Sequence, residues 1–242
     1  MKRNVLIGTM ALVAGSLLGA DANPKDDVKG AIKKLADAGS YSWKATTDTG
    51  GGGGGGGQAR PGPTEGKLGK EGFACVSITR GENTTEAVLK GDKRVVKTQD
   101  GWQTVEEMAA AAAGGGGGGR GRGAGIRNLK VPAVEADDLL GKVKDLKSAE
   151  GACSGDLTEE GAKALLTFGG RGGGGQSQAT GAKASVKYWV KDGVLSKYQY
   201  NVQGTVSFGG QDRDINRTTT VEIKDVGTTT VTVPEDAKKK LS

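Results

Sequence analysis

The feature that most constrains the fold is a long run of alternating apolar and polar residues, SVKYWVKDGVLSKYQYNVQGTVSF, at positions 185–208. Its even positions carry mostly valine and aromatic side chains, and its odd positions carry mostly lysine, glutamine and other polar side chains. Period-two alternation on both sides of a turn predicts an antiparallel hairpin with one dry and one solvated face. Trp189 and Leu195 interrupt the pattern and are expected on the other face.

The alternation also predicts the turn of this hairpin. A two-residue loop would place apolar residues of one strand opposite polar residues of the other. A three-residue loop at 191–193 with its glycine in the left-handed region pairs even positions with even positions. We therefore expect Val190 opposite Val194 and Val186 opposite Tyr198, because this register keeps the apolar face intact.

The other segments indicate strands on both sides of a helical middle. Helical spacing of apolar residues predicts helices at 23–39, 104–113, 131–146 and 154–168. Alternation predicts strands at 40–47, 72–81, 84–91, 93–104, 214–227 and 228–234. This order favours an α+β fold, in which helices cover the dry face of a curved antiparallel sheet. The space between the two layers is either an apolar cleft or a fully packed core.

Three glycine tracts interrupt the chain, near 50–63, 114–125 and 169–178. Such tracts lose much backbone entropy on ordering and bury nothing in return, so we expect flexible insertions in surface loops. The remaining length predicts a single domain over 23–242. The arginine-glycine repeats inside two tracts are typical of RNA-binding segments. Their arginines are few, and we expect no nucleic-acid partner.

Residues 1–22 have the pattern of a signal peptide. Lys2 and Arg3 precede an apolar run from Val5 to Leu18, and Ala20-Asp21-Ala22 is an A-x-A cleavage pattern. The alternative is a membrane anchor, but the apolar run is shorter than the roughly 20 residues that a spanning helix needs. We expect export to the periplasm or the extracellular space.

The composition argues against an enzyme. The chain contains no histidine, the commonest general base and a frequent metal ligand, and it lacks a nucleophile motif. We therefore expect no catalytic residues, no cofactor and no metal site. Cys75 and Cys153 are either joined in a disulfide, which an oxidising compartment permits, or two buried free thiols. The net charge of +6 is mild. The basic run at 238–240 predicts either transient membrane-surface contact or a frayed, solvated end.

The order of the segments, including YSWKATT, GDLTEEGAKALL, YWVKDGVLSKY and VTVPEDA, resembles the LolA/LolB-like superfamily of periplasmic lipoprotein carriers. The resemblance implies an unclosed β half-barrel with helices as a lid, an apolar cavity, and a lipid or lipidated protein as partner. Each predicted cavity residue could equally be a core residue; they are Trp43, Trp102, Tyr188, Tyr198, Tyr200 and Phe208. The alternative function is a non-catalytic structural or protein-interaction module of the cell envelope with a filled core. The sequence does not indicate the oligomeric state.

Overall fold

The computed structural model describes residues 23–50, 61–113, 124–167, 178–208 and 211–242. The predicted signal peptide and most of each glycine-rich insertion lie outside the described residues. Residues 61–63, expected within the first insertion, belong to a strand.

Six helices and eleven strands are assigned in the described residues. The helices are α1 (Pro24–Asp37), α2 (Val105–Ala113), α3 (Ala124–Arg127), α4 (Pro132–Gly141), α5 (Glu159–Thr167) and α6 (Glu235–Leu241). The strands are β1 (Tyr41–Asp48), β2 (Pro61–Leu68), β3 (Phe73–Arg80), β4 (Asn83–Lys90), β5 (Lys93–Thr98), β6 (Gly101–Thr104), β7 (Lys147–Ala149), β8 (Ala152–Asp156), β9 (Gln178–Lys191), β10 (Val194–Phe208) and β11 (Gln211–Lys224).

All the strands form one antiparallel sheet in the order β6-β5-β4-β3-β2-β1-β11-β10-β9-β8-β7. Strands β1–β6 and β7–β11 are two meanders, and the pairing of β1 with β11 joins them in the middle of the sheet. β6 and β7 lie at opposite edges, so the sheet is unclosed. The predicted α+β fold with a curved, unclosed antiparallel sheet is confirmed.

Helix α1 lies within the predicted helical segment 23–39 and is capped at its first turn. The side chain of Asn23 accepts a hydrogen bond from the backbone N–H of Lys25 at 3.1 Å, which caps the helix. The apolar stripe of α1 is buried against the sheet together with residues of α4 and α5. These three helices cover one face, here called the helix-covered face, and the opposite face is the outer face.

Helix α4 is shorter than predicted. It ends at Gly141, and Val143, expected on the helical stripe, instead forms an isolated bridge with Leu157. Val143 remains buried. Helix α5 follows, and the hydroxyl of Thr158 accepts a hydrogen bond from the backbone N–H of Gly161 at 3.1 Å, which caps the helix.

The predicted three-residue loop of the β9–β10 hairpin is wrong. Val194 lies opposite Lys191 rather than Val190, so the loop has only two residues, Asp192 and Gly193. Both have positive φ, 54° and 73°. Positive φ at both central residues is typical of the type I′ turn, whose twist matches that of the flanking strands.

A β-bulge after the loop restores the expected parity. The register shifts between Leu195 and Lys197, and beyond this shift Tyr198 lies opposite Tyr188 rather than Val186. Even positions therefore pair with even positions as far as a second register shift after Gln203, although with different partners than predicted. Leu195 was expected on the other face, but it is fully buried in the core.

Strands β2, β7 and β8 were not predicted. β2 contains two prolines and two glycines, which are unfavourable in isolated strands, yet it pairs on both sides with β1 and β3. β7 and β8 extend the sheet beyond β9. Their conformation depends on pairing with neighbouring strands rather than on local alternation.

The C-terminal segment differs most from expectation. Residues 228–234 form neither helix nor strand, so the predicted last strand is wrong. The frayed end expected at 238–240 is instead helix α6, in which Ala237 and Leu241 are buried. The two side chains pack on a small apolar cluster of the outer face formed by Phe73, Val88 and Val95.

Candidate ligand-binding grooves

Tyrosines fill the space between the sheet and the helices. Tyr41 on β1, Tyr188 on β9 and Tyr198 on β10 all have 0% exposed surface. The ring centroids of Tyr188 and Tyr198 are 6.5 Å apart. The rings therefore belong to the packed core, and they do not line an open space.

The tyrosine hydroxyls attach α4 to the sheet. The hydroxyl of Tyr41 accepts a hydrogen bond from the backbone N–H of Ala133 at 3.3 Å. This N–H lies in the first turn of α4, where the helix itself offers no carbonyl to accept its hydrogen bond. The hydroxyl of Tyr188 donates to the backbone carbonyl of Ala136 at 3.2 Å. Both bonds are buried, so they hold α4 in one position over the sheet.

Glu135 is the acidic member of this tyrosine cluster. Its carboxyl accepts hydrogen bonds from the hydroxyls of Tyr198 and Tyr200, the second at 3.2 Å. Burial raises the pKa of Glu135 above its ordinary value, and the Asp138 charge acts in the same direction. The two tyrosine hydrogen bonds and Lys130 partly offset this rise in pKa. A carboxyl in this position favours the protonated form more than an exposed one does.

Burial in the cluster also changes the pKa values of its tyrosines. Burial raises the pKa of Tyr41 to about 12. Burial raises the pKa values of Tyr188, Tyr198 and Tyr200 still further, and the Glu135 charge acts in the same direction. All four hydroxyls therefore remain neutral at physiological pH and act as hydrogen-bond donors or acceptors.

The structure brings together only some of the predicted cavity residues. Tyr188, Tyr198 and Tyr200 lie side by side under α4, and Trp43 is buried on the same face, 5.9 Å from the Tyr41 ring. Trp102 packs instead against the apolar cluster of the outer face. Phe208 is the last residue of β10, and its side chain lies outside the described residues.

Sequence reasoning missed two members of the cluster. Tyr41 lies in a predicted strand but was not singled out, and Glu135 was not considered. The signal for Glu135 was weak: a single acidic residue beside the apolar stripe of α4 is indistinguishable from a solvated one until its tyrosine partners are known.

A groove between α1 and α4, here called the helical groove, opens on the helix-covered side. Its volume is about 600 Å³. Ile32 and Ala36 of α1 and Ala133 of α4 line it, and Val134 at its edge is 49% exposed. The remaining lining residues are mostly charged: Asp26, Lys29, Lys33, Asp137 and Asp138. The groove thus combines an apolar floor with a charged rim.

A second groove, here called the outer groove, lies on the outer face and has a volume of about 520 Å³. It crosses strands β1–β4, and Thr232 and Pro234 of the C-terminal segment form part of its wall. The indole of Trp102 lies at the same groove. Among the predicted cavity residues whose side chains the structure describes, Trp43 and Trp102 line this groove.

The two cysteines are free thiols, so the predicted alternative of a disulfide is not realised in this structure. Cys75 on β3 and Cys153 on β8 are separated by five intervening strands of the sheet. Each is half-buried rather than fully buried. Burial and the nearby Glu86 raise the pKa of Cys75, which favours the unreactive thiol over the thiolate.

Within the described residues, no cluster of three or more histidine, cysteine or acidic side chains is arranged to hold a metal ion. None of the helices in the described ranges combines the length and apolar character needed to cross a membrane.

Comparisons with known proteins give distant structural similarity. No protein-family model matches the chain, and no curated protein matches it. Among solved structures, the chain is similar to a LolA superfamily protein from Nitrosomonas europaea, with a TM-score of 0.33 and 11% sequence identity. The alignment covers 89% of this chain and 97% of the other. The fold assignment rests on the sheet topology and not on this similarity.

Proposed function

We propose that the protein is a non-catalytic, exported protein of the cell envelope that binds an apolar ligand, such as a lipid or a lipoprotein acyl chain. The observation that carries the proposal is the helical groove, with its apolar floor and the exposed Val134 at its edge. Concave sites with apolar walls and a few polar groups at the rim are typical of ligand-binding sites. The signal-peptide pattern of residues 1–22 supports export.

The ligand enters between α1 and α4 in this proposal. The tyrosine cluster occupies the space below α4, so an acyl chain reaches the sheet only when α4 moves away. That movement breaks the hydrogen bonds of Tyr41, Tyr188 and Glu135, each of which contributes on the order of 1 kcal/mol. An apolar ligand that packs against the tyrosine rings uncovered by this movement offsets the cost.

Titration of the purified protein with a fluorescent fatty acid tests the proposal, together with a Val134→Asp variant. The new charge at the edge of the helical groove should weaken binding strongly, because it places a carboxylate against the apolar chain of the fatty acid. Val190→Asp is the matched control. Val190 is also an exposed valine, 36% exposed, but it lies at the β9–β10 turn, away from the groove.

Binding that is lost in Val134→Asp and retained in Val190→Asp supports the proposed site. Equal binding by both variants and the wild type would exclude the helical groove. If the wild type takes up no fatty acid and carries no acyl adduct in native mass spectrometry, the apolar-ligand function is wrong.

A second candidate function is a structural or protein-interaction module of the cell envelope. It is favoured by the complete burial of Tyr41, Tyr188 and Tyr198, which is typical of a core rather than of a carrier cavity. A protein partner recovered by cross-linking from the envelope, together with absent fatty-acid uptake, would support this function instead.

A further inference from the structure

The floor of the outer groove is one row of side chains across five strands. The strand registers place Val88 opposite Cys75, Cys75 opposite Lys67, Lys67 opposite Ser42, and Ser42 opposite Lys224. Directly opposed residues point to the same face of a sheet. The row therefore runs from an apolar end on β4 to a basic end on β11.

One wall of the groove is a neighbouring row of ion pairs. Lys44 pairs with Glu65 at 2.8 Å, and Lys97 pairs with Glu86 at 2.6 Å. Each of these two pairs is neutral overall, so this part of the wall is polar but nearly neutral. It separates the floor from the rest of the outer face.

The opposite wall is the C-terminal segment. The thiol of Cys75 lies 3.8 Å from the backbone carbonyl of Thr232, and Pro234 lines the same side. The chain segment after β11 is tied down where it leaves the sheet, since the hydroxyl of Ser42 donates to the carboxylate of Asp225 at 2.6 Å. The groove thus has a floor and two walls, one of them formed by the last part of the described chain.

The charge on the floor is uneven. Lys67 and Lys224 flank Ser42, and neither lysine forms an ion pair with the residues that the structure describes. Asp225 contributes one negative charge at the same end, which leaves an excess of one positive charge. At the other end, Trp102 presents apolar surface beside the small side chain of Cys75, while Val88 is almost completely buried, with 1% of its surface exposed.

We propose that the outer groove is a second binding site, for a single-chain anionic amphiphile of the fatty-acid class. The carboxylate would bind between Lys67 and Lys224, and the chain would lie over Cys75 toward Trp102. Four strand spacings of about 4.8 Å give the row a length of about 19 Å, which suits an extended chain better than a compact ligand. The groove volume of about 520 Å³ is within the usual range for small-molecule sites.

Protection of Cys75 from alkylation provides a readout specific to this groove. The full chain is treated with a thiol-alkylating reagent with and without decanoate, and the modification of each cysteine is followed by peptide mass spectrometry. Decanoate should slow the alkylation of Cys75. Cys153 on β8 lies outside the groove and serves as the internal reference, whose rate should not change.

Charge reversal on the floor tests the position of the carboxylate. Lys67→Glu combined with Lys224→Glu should raise the decanoate concentration that half-protects Cys75 about tenfold, which is the combined effect of two exposed ion pairs. Lys183→Glu combined with Lys191→Glu is the matched control, because both residues are exposed lysines of β9 and the net charge changes equally. Decanol, which has the same chain without the charge, should protect Cys75 much less than decanoate.

Three results would overturn the proposal: unchanged alkylation of Cys75 in decanoate, equal protection by decanol and decanoate, or equal weakening by the control pair on β9. The Val134→Asp variant separates this site from the helical groove. It should still show protection of Cys75 by decanoate, whether or not the helical groove binds fatty acid.

Discussion

The hydrogen bond from Tyr198 to Glu135 provides a direct test of how α4 is attached to the sheet. Tyr198→Phe removes one hydroxyl and keeps the ring, so the packed core retains its volume and no large cavity forms. The carboxyl of Glu135 keeps its hydrogen bond from Tyr200. The substitution therefore isolates one polar contact under α4.

The cost of this substitution should depend on pH. A hydrogen bond to a neutral group contributes about 1 kcal/mol, and one to a charged group contributes about 1.5–3 kcal/mol. Burial raises the pKa of Glu135, so its carboxyl is neutral at acidic pH and becomes ionised as the pH rises through that raised value. Tyr198→Phe should therefore cost about 1 kcal/mol at low pH and about 1.5–3 kcal/mol once Glu135 is ionised.

Urea unfolding of the wild type and the variant at a series of pH values from about 4 to 8 measures this cost. Tyr188→Phe is the matched control, since its hydroxyl donates to the neutral backbone carbonyl of Ala136. Its cost should be about 0.5–1.5 kcal/mol at every pH. The slope of unfolding free energy against urea should be the same for all three proteins.

Two results would refute the reasoning. One is a cost of Tyr198→Phe that does not change with pH, which would mean that Glu135 does not titrate against this hydroxyl. The other is the same pH dependence in Tyr188→Phe, which would place the titrating group elsewhere in the cluster.

Two further predictions concern Glu135 and a close glycine contact. The raised pKa of Glu135 means that the wild type loses stability as the pH rises from the ordinary glutamate pKa to the raised one. Glu135→Gln should remove this loss, so the stability of the variant relative to the wild type should rise across that pH window in urea unfolding. A difference in stability that does not change with pH would contradict this prediction. A Cβ at Gly66 would lie 2.1 Å from the Trp43 ring, so Gly66→Ala should cost about 1–3 kcal/mol. Gly30→Ala, on the exposed side of α1 with no atom within 4 Å of its Cβ, should instead stabilise by about 0.5–1 kcal/mol, and thermal shifts of the same sign in the two variants would contradict the packing argument.

Local patterns predicted a large part of the fold. The cap at Asn23 and the apolar stripe of α1 depend on residues within one or two helical turns, and the structure has both. The alternation over 185–208 depends on neighbours two positions apart, and it correctly predicted a long hairpin with a buried face. Such features need no knowledge of distant segments.

Features that depend on pairing were predicted poorly. A two-residue loop followed by a bulge and a three-residue loop both place even positions opposite even positions in the part of the hairpin around the tyrosines. The alternation could not distinguish them, and the bulge at Leu195 was missed. Strand β2 has poor strand propensity of its own, and its conformation depends on hydrogen bonds to β1 and β3.

The candidate sites show the same division. The alternation assigned Tyr188, Tyr198 and Tyr200 to the buried face, but only the packing of α4 places Glu135 within reach of the last two. The outer groove depends on strand registers that bring Val88 and Lys224 into one row, although the two residues are 136 positions apart in the chain.

By itself, the sequence determined the class of the fold, the principal hairpin and the first helix, because side-chain periodicity and helix capping are local properties of the chain. Only the tertiary structure decided which helix covers the tyrosines, that the space beneath it is filled, and that a groove with a basic end crosses the outer face. These properties depend on strand order, register and helix packing, which arise from contacts between segments far apart in the chain.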